Sequence, residues 1–320
     1  DGSIEFEVDA VGDGTTAVGA VIEHIEPAGI HSGDATMVLP PRYLPWDAIV
    51  KVSKIAMKLN NVLNIKGPYN LQLLYKDGEV YVIELNLRAS RSMPFTSKTT
   101  NYNLMKASIE ASIKGELESV VEKDKFNLLF PYWFGVKSPQ FSWARLRGSY
   151  PFLGPEMRSV GEVACLGKLY EGALILSWLS VAGNRLPDKS KEKILIYSPE
   201  LKSEYVDVLS YASKIFSDAE YNVATIENME IKNADFITLK RAEDEIINGD
   251  IGLIITTGYS PEKDYRIRRL AVDLGIPIVL NHKLGLELSK AVTFTEKNYE
   301  VLEIKELREF WNRNNIIKIL

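Results

Sequence analysis

Residues 69–90 read YNLQLLYKDGEVYVIELNLRAS, two alternating runs on either side of Asp77-Gly78. Alternation at period two marks half-buried strands, and Asp-Gly between such runs is a strong hairpin signal. Tyr69, Leu71, Leu73 and Tyr75 make one face of the first strand, and Asn70 and Gln72 the other. In the second strand Tyr81, Ile83, Leu85 and Leu87 read as the buried face, opposite Val82, Glu84, Asn86 and Arg88. A two-residue loop pairs Gln72 with Ile83, which sets polar against apolar, because a one-residue slip exchanges the faces. A three-residue loop with Gly78 near its centre pairs Gln72 with Glu84, and the pattern selects that register. Asn70, Gln72, Glu84, Asn86 and Arg88 then share one face.

A carboxylate beside amide carbonyls is a hard oxygen-donor set of the kind that suits Mg²⁺, which completes its shell with water and phosphate. Arg88 further along the strand could meet a phosphate. Arg91, Ser92, Thr96, Ser97 and Lys98 continue the polar, cationic character. The alternative is a solvated edge of an antiparallel sheet, which carries polar alternation for no reason beyond water.

Outward from the hairpin, residues 1 to about 110 alternate short strands and helices. EFEVDAV and AVGAVIEHIEP pair around the turn GDGTT, AGIHSGDATMVLPPRYLP is a polar loop, and residues 46–59 have helical period. NLMKASIEASIKG is a helix closed by Gly115. Residues 111 to about 185 are less regular: FPYWFGVKS and FSWARLRG are strand-like, a loop enters a strand in FLGPEMRSVGEVACLG, and KLYEGALILSWLSVAG is a helix. From Lys193 the apolar runs KILIYS, YNVATI, GLIITTG and IPIVLN are separated by helical segments, the pattern of a parallel sheet covered on both faces. The fold class is therefore α/β and α+β, an antiparallel sheet with helices followed by a Rossmann-like parallel α/β domain.

The chain has 320 residues, 46% hydrophobic and 25% charged, enough for two domains with their own cores. A net charge of −5 speaks against a general nucleic-acid binder, yet a bound cation or a local basic pocket can still serve an anionic ligand. No apolar run approaches the roughly 18 residues of a membrane span, so no membrane partner is expected. The single cysteine, Cys165, allows no internal disulfide, fits a cytoplasmic setting, and is read as a small core residue. Asp1 is followed almost at once by a strand pattern, so the chain is expected to be a piece of a longer protein.

Three stretches, IEHIEPAGIHSGDATMVLPP (22–41), IELNLRASRSMPFTSK (83–98) and LGPEMRSVGEV (153–163), together resemble the carbamoyl-phosphate synthetase large-subunit family of ATP-grasp enzymes. The resemblance covers essentially the whole chain and weakens after about residue 185. It implies that residues 1–185 are the C-terminal part of the second, carbamate-phosphorylating ATP-grasp domain. Residues 186–192 would be a linker, and 193–320 an allosteric domain of methylglyoxal-synthase type.

By the same resemblance, Gln72, Glu84 and Asn86 hold two divalent metals, Mg²⁺ or Mn²⁺, on the ATP phosphates, and Arg88 holds the phosphoryl group or carbamate. Leu87 stands where the family has proline. Gly29, Ile30, His31 and Ser32 match positions that contact ATP; without that context His31 reads as a loop histidine bonded to backbone. Glu5 matches the acid on the ribose, across a one-residue gap. His24 and His282 have no such context and are read as structural or surface residues.

The implied reaction is phosphorylation of carbamate by ATP to carbamoyl phosphate, for pyrimidine and arginine biosynthesis. The implied partners are the upstream remainder of the large subunit and a glutaminase small subunit. The family's glycine-rich phosphate loop and adenine segment would lie upstream of Asp1, so the chain alone is expected to be inactive. Rival readings are another ATP-grasp ligase or carboxylase, such as biotin carboxylase, and a non-catalytic effector-binding module.

In the family the C-terminal domain binds nucleotide monophosphates and ornithine. Thr256 and Thr257, at the end of a strand, with Lys202, Thr225 and Lys240, are the candidate effector contacts. Departures are evident: the family's T-H-G-T loop is Thr225-Ile226-Glu227-Asn228, with an acid where a phosphate would sit, and Ile255 replaces an Asn. The alternative is a packing domain without effectors.

Overall fold

In the computed structural model, residues 2–118, 120, 122–229, 231–298 and 317–319 are described. Asp1, Ser119 and Val121 of the 1–185 region, and residues 230, 299–316 and 320 of the 193–320 region, lie outside the described residues.

The first sheet begins with β1 (Ile4–Asp13) and β2 (Ala17–His24), antiparallel with Val8 opposite Val21. The Asp13 carboxylate accepts the Thr15 and Thr16 amides and so pins the turn between them. Then come β3 (Met37–Leu39), α1 (Trp46–Leu63), β4 (Lys66–Lys76), β5 (Glu79–Asn86), α2 (Met93–Thr100) and α3 (Leu104–Lys114). Next follow β6 (Phe126–Leu129), β7 (Phe134–Phe141), β8 (Ser159–Gly167) and α4 (Tyr170–Leu179). The sheet runs β5-β4-β1-β2-β3-β7-β8, with β6 parallel to the start of β2.

β1 is buried on both faces. Phe6, Val8 and Ala10 pack with Ala48, Ile49, Val52 and Ala56 of α1. Val11, with Val18, Ala20 and Ile22 of β2, packs on Met93, Phe95, Leu104 and Ala107 of α2 and α3. Gly115, in the left-handed region at φ 79°, ends α3 as its sequence position implies. FSWARLRG departs from expectation. Its middle, Trp143–Arg145, is one turn of 3-10 helix rather than a strand.

The hairpin keeps the expected pairing but reaches it differently. Lys76 pairs with Glu79, so the loop has two residues, Asp77 and Gly78, both with positive φ, as a type I′ turn requires. A β-bulge then restores the register. Leu73 faces Val82 while Gln72 faces Glu84, leaving Ile83 as the extra residue. The expected buried face holds only in part: Leu85 packs on the core as read, but beyond the bulge the core side passes to Val80, and Tyr81, Ile83 and Leu87 are 53%, 54% and 62% exposed. Cys165 is not the core residue its sequence context suggests. It lies half-buried on the edge strand β8 with its sulfur 3.4 Å from the Ser180 hydroxyl, because β8 has no strand on its outer side.

The second sheet is parallel. β9 (Lys193–Tyr197), α5 (Ser203–Asp218), β10 (Asn222–Ile226), β11 (Asp235–Ile237), α6 (Leu239–Asn248) and β12 (Ile251–Thr256) lead to α7 (Pro261–Asp273), β13 (Ile278–Val279) and α8 (His282–Asn298). Its order is β11-β10-β9-β12-β13. The four apolar runs are four of its strands; β11 is a three-residue edge strand with no apolar run to announce it. Ile194, Ile196, Leu253 and Ile255 face α5 and α8, while Leu195, Tyr197, Ala224 and Ile254 face α6 and α7. α4 packs into the core shared by β9, β12 and α8. The last described strand, β14 (Ile317–Ile319), pairs with β6 of the first sheet.

Arginine clasps are among the contacts that join the units. Arg42 lies over the Tyr170 ring, 4.0 Å from its centroid, and donates to Glu287 of α8 at 2.5 Å. The Arg269 guanidinium of α7 donates to the carbonyls of Trp143, Leu146 and Ser149.

Candidate active site

The β4–β5 hairpin brings Gln72 level with Glu84 and Asn70 level with Asn86. Asn86 Nδ2 donates to Glu84 Oε1 at 2.7 Å, and Gln72 Nε2 donates to the Ser32 hydroxyl at 3.0 Å. Both amide nitrogens are thus engaged by neighbours, which leaves the carbonyl oxygens of Gln72 and Asn86 as the acceptors on the face they share with Glu84. This is the donor chemistry that a hard divalent cation takes. Among the described residues there is no cluster of three His, Cys, Asp or Glu side chains suited to a metal, so a cation here depends on the amide oxygens.

A cavity of about 110 Å³ lies beside this row, lined among others by His31, Ser32, Gln72, Glu84, Arg88 and Arg91. Arg88 is exposed and donates to the Ala89 carbonyl at 3.2 Å. Arg91 is held by the Glu162 carboxylate. The loop over the cavity is fixed at several points. Glu5, buried, accepts the Gly29 amide at 3.2 Å; His31 Nδ1 accepts the Gly33 amide at 3.0 Å; Asp34, fully buried, accepts the Arg158 and Ser159 amides, both at 2.8 Å. Gly29 has φ 96° in an exposed turn, and Ile30 follows it half-buried. The structure therefore gathers His31, Ser32, Gln72, Glu84, Asn86 and Arg88 at one spot, with Glu5 and Gly29 bonded to each other at the near end of the same loop.

Sequence reasoning missed the wall behind this cavity. Glu7 and Asp9, two and four residues on from Glu5, point to the same side of β1. The hydroxyls at the start of α2 bind them, Ser92 to Glu7 and Ser90 to Asp9, while Thr96 Oγ1 reaches Asp9 at 2.7 Å. Burial and the neighbouring Asp9 push the Glu7 carboxyl up to about 7, against the pull of Ser92, Lys137 and Asn70. Lys137 of β7, buried beside Glu7, is pulled down by desolvation. His24 stands between Glu5 and Glu7, and burial drives it down to about 3, so it is a neutral structural residue. The period-two run Glu5-Glu7-Asp9 was the available signal.

A larger cavity, about 330 Å³, lies between β7, α4 and the α/β unit, and Phe141, Trp143 and Trp178 line it. Its carboxylates are already engaged: Glu26 accepts the Thr36 amide and hydroxyl at 2.6 and 2.8 Å, and Asp34 holds the amides named above. The smaller cavity, which carries free oxygens and arginines, is the better site for phosphate chemistry despite its size.

The five effector candidates are each already engaged or buried. Lys202 pairs with Glu200 at 2.6 Å, and Lys240 on α6 pairs with Asp244 at 2.8 Å. Thr225 is fully buried, level with the β9 core; Thr256 is buried within 3.5 Å of Arg268; Thr257 meets the buried His282 at 3.1 Å. In chain order the sheet reads 3-2-1-4-5, so the order reverses between β9 and β12, where open α/β sheets bind ligands. Here the chain fills that crevice itself. Glu200 accepts the Tyr259 amide at 2.6 Å, and Tyr150 and Phe152 from the first unit pack on Tyr259 at 5.3 and 4.8 Å.

Comparison with known proteins adds to this geometry. Residues 2–120 match the family described as "Carbamoyl-phosphate synthase L chain, ATP binding domain". The carbamoyl phosphate synthase large chain of Hyperthermus butylicus is 52% identical over 314 residues, which is 98% of this chain and 29% of that protein. That of Pyrococcus furiosus is 50% identical over 313 residues, 97% of this chain and 28% of that protein. The chain spans under a third of the length of the curated relatives it matches. The biotin carboxylase domain of a single-chain bacterial carboxylase superposes at TM-score 0.43 and 14% identity, over 56% of this chain and 46% of that one, too remote to carry weight.

Proposed function

From the premise that this chain belongs to the carbamoyl phosphate synthase large-chain family, we propose that its first unit is the metal-and-phosphate half of an ATP-dependent ligase site. The observation that carries the reading is the row of oxygens on Gln72, Glu84 and Asn86, flanked by Arg88 and Arg91 and covered by the His31–Ser32 loop. The substrates are ATP and carbamate and the products ADP and carbamoyl phosphate. The enzyme that carries the reaction is the longer protein, which contains an upstream remainder and works with a glutaminase small subunit.

Phosphoryl transfer needs positioning and charge neutralisation more than a side-chain nucleophile. Gln72, Glu84 and Asn86 would hold divalent cations, which, when bound, neutralise the phosphate oxygens and favour in-line attack. Arg88 and Arg91 hold the transferring phosphoryl group or carbamate by charge-assisted hydrogen bonds. The Asp34 and Glu5 contacts keep the His31–Ser32 loop over the phosphates and restrict water. Glu7 and Lys137 line the same cavity side by side, both buried.

The test compares two proteins under ATP, Mg²⁺ and carbamate. The full-length large chain is expected to form carbamoyl phosphate, and the 320-residue chain alone is not. No product from the full-length protein contradicts the reaction; product from the isolated chain contradicts the division of labour.

The second unit is read as a methylglyoxal-synthase-like domain that has given up effector binding. Its strand order supports the first part, and the carboxylate of Glu200 at the crevice supports the second, since it repels a phosphate. Calorimetric titration with UMP, IMP and ornithine is expected to give no heat at millimolar ligand; a saturable isotherm contradicts the reading.

A further inference from the structure

We propose that residues 143–159 form a strap that couples the crevice of the α/β unit to the loop over the phosphate cavity. One end of the segment is built into α7. Arg269 holds the carbonyls of Trp143, Leu146 and Ser149, Tyr265 Oη donates to the Gly148 carbonyl at 3.0 Å, and the buried Arg268 donates to the Pro151 carbonyl at 2.9 Å. Between these, Tyr150 enters the crevice. Its hydroxyl donates to Asp264 at 2.6 Å and accepts the Ser260 amide at 3.2 Å, and its ring lies 4.7 Å from the Arg268 guanidinium.

The other end is built into the loop at residues 31–34. The His31 amide donates to the Gly154 carbonyl at 2.9 Å, the Arg158 and Ser159 amides donate to Asp34, and the Ser159 hydroxyl donates to the Gly33 carbonyl at 3.0 Å. Met157 closes the contact. Its sulfur accepts from Arg91, and a Cβ on Gly33 would lie 2.9 Å from it. Arg158 lies 5.4 Å over the Phe152 ring, which ties the two ends together.

Three residues separate Tyr150 in the crevice from Gly154 on the His31 amide; Pro151 stiffens the span and Pro155 follows directly after it. A segment so short and so pinned transmits displacement rather than absorbing it. Anything that enters the crevice between β9 and β12 must displace Tyr150 and Phe152, and thereby draws Gly154 and Met157 away from His31, Gly33 and Arg91. The strap also works without a ligand: with Tyr150 seated, it holds the phosphate loop in its closed geometry. The functional consequence rests on reading that loop as part of the ATP site, whereas the mechanical coupling does not.

Amide hydrogen exchange on the nucleotide-free 320-residue chain tests the coupling. In Tyr150→Ala the His31 and Asp34 amides are expected to exchange about tenfold faster, while amides of β1 and β9 keep their wild-type rates. Tyr150→Phe keeps the ring and loses only the hydroxyl bonds, so it should show the same pattern at lower amplitude in a fully folded protein. Faster exchange at residues 149–152 with unchanged rates at 31–34 in both variants overturns the proposal. No nucleotide is present, so the result stands or falls separately from the ligase reading.

Discussion

Glu84→Ala in the full-length large chain is expected to lower carbamate phosphorylation by roughly a hundredfold or more while leaving the fold intact, as loss of a charge-neutralising group in a phosphoryl-transfer site does. Glu84 is the one carboxylate in the oxygen row, and without it Gln72 and Asn86 offer a cation only neutral carbonyls. The residue is exposed on an edge strand, so the same change should move stability by no more than about 0.5 kcal/mol. Steady-state carbamoyl phosphate synthesis and a urea melt measured on one preparation separate the two effects. Activity within a few-fold of wild type would remove the metal role.

Arg268→Ala is expected to be the most damaging single change to stability, at about 3 kcal/mol or more, because it breaks a buried ion pair and leaves its partner behind. Arg268 and Asp264 are both fully buried and 2.6 Å apart. Arg268 also caps the carbonyls of Pro151, Thr257 and Gly258, so its loss leaves three acceptors without this donor. Asp264 retains hydroxyls from Tyr150 and Tyr197, which soften the cost without cancelling its charge. Arg268→Lys should recover little, since an ammonium cannot span the same fork of acceptors. A urea midpoint shifted by an amount worth under about 1 kcal/mol would mean that the pair is not what holds the crevice shut.

The two sheets were legible because each announces itself through periodicity. Four apolar runs separated by helices gave the parallel sheet, and the alternation around Asp77-Gly78 gave the hairpin and its Gln72–Glu84 pairing. The bulge at Ile83 was hidden, since two different loops lead to one register when an extra residue is allowed later in the strand. That hidden residue is also why Tyr81 and Ile83 were assigned to the wrong side. At the candidate site, side chains on one strand or one motif were found, whereas Glu7 and Lys137 come from β1 and β7, which meet the hairpin's face only in three dimensions. The crevice was illegible for the same reason: Tyr150 and Glu200 reach it from opposite sides of the interface, 50 residues apart in sequence.

On this reading the polar face of the hairpin holds a divalent cation with nucleotide. Paramagnetic broadening tests it directly, because Mn²⁺ acts over short distances and reports even weak binding. With Mn²⁺ and ADP added to the 320-residue chain, the side-chain amide signals of Gln72 and Asn86 should broaden first, while those of Asn60 and Asn127, buried elsewhere, stay sharp. Glu84→Gln should abolish the selectivity. Uniform broadening, or broadening that begins elsewhere and is indifferent to Glu84, would contradict the account.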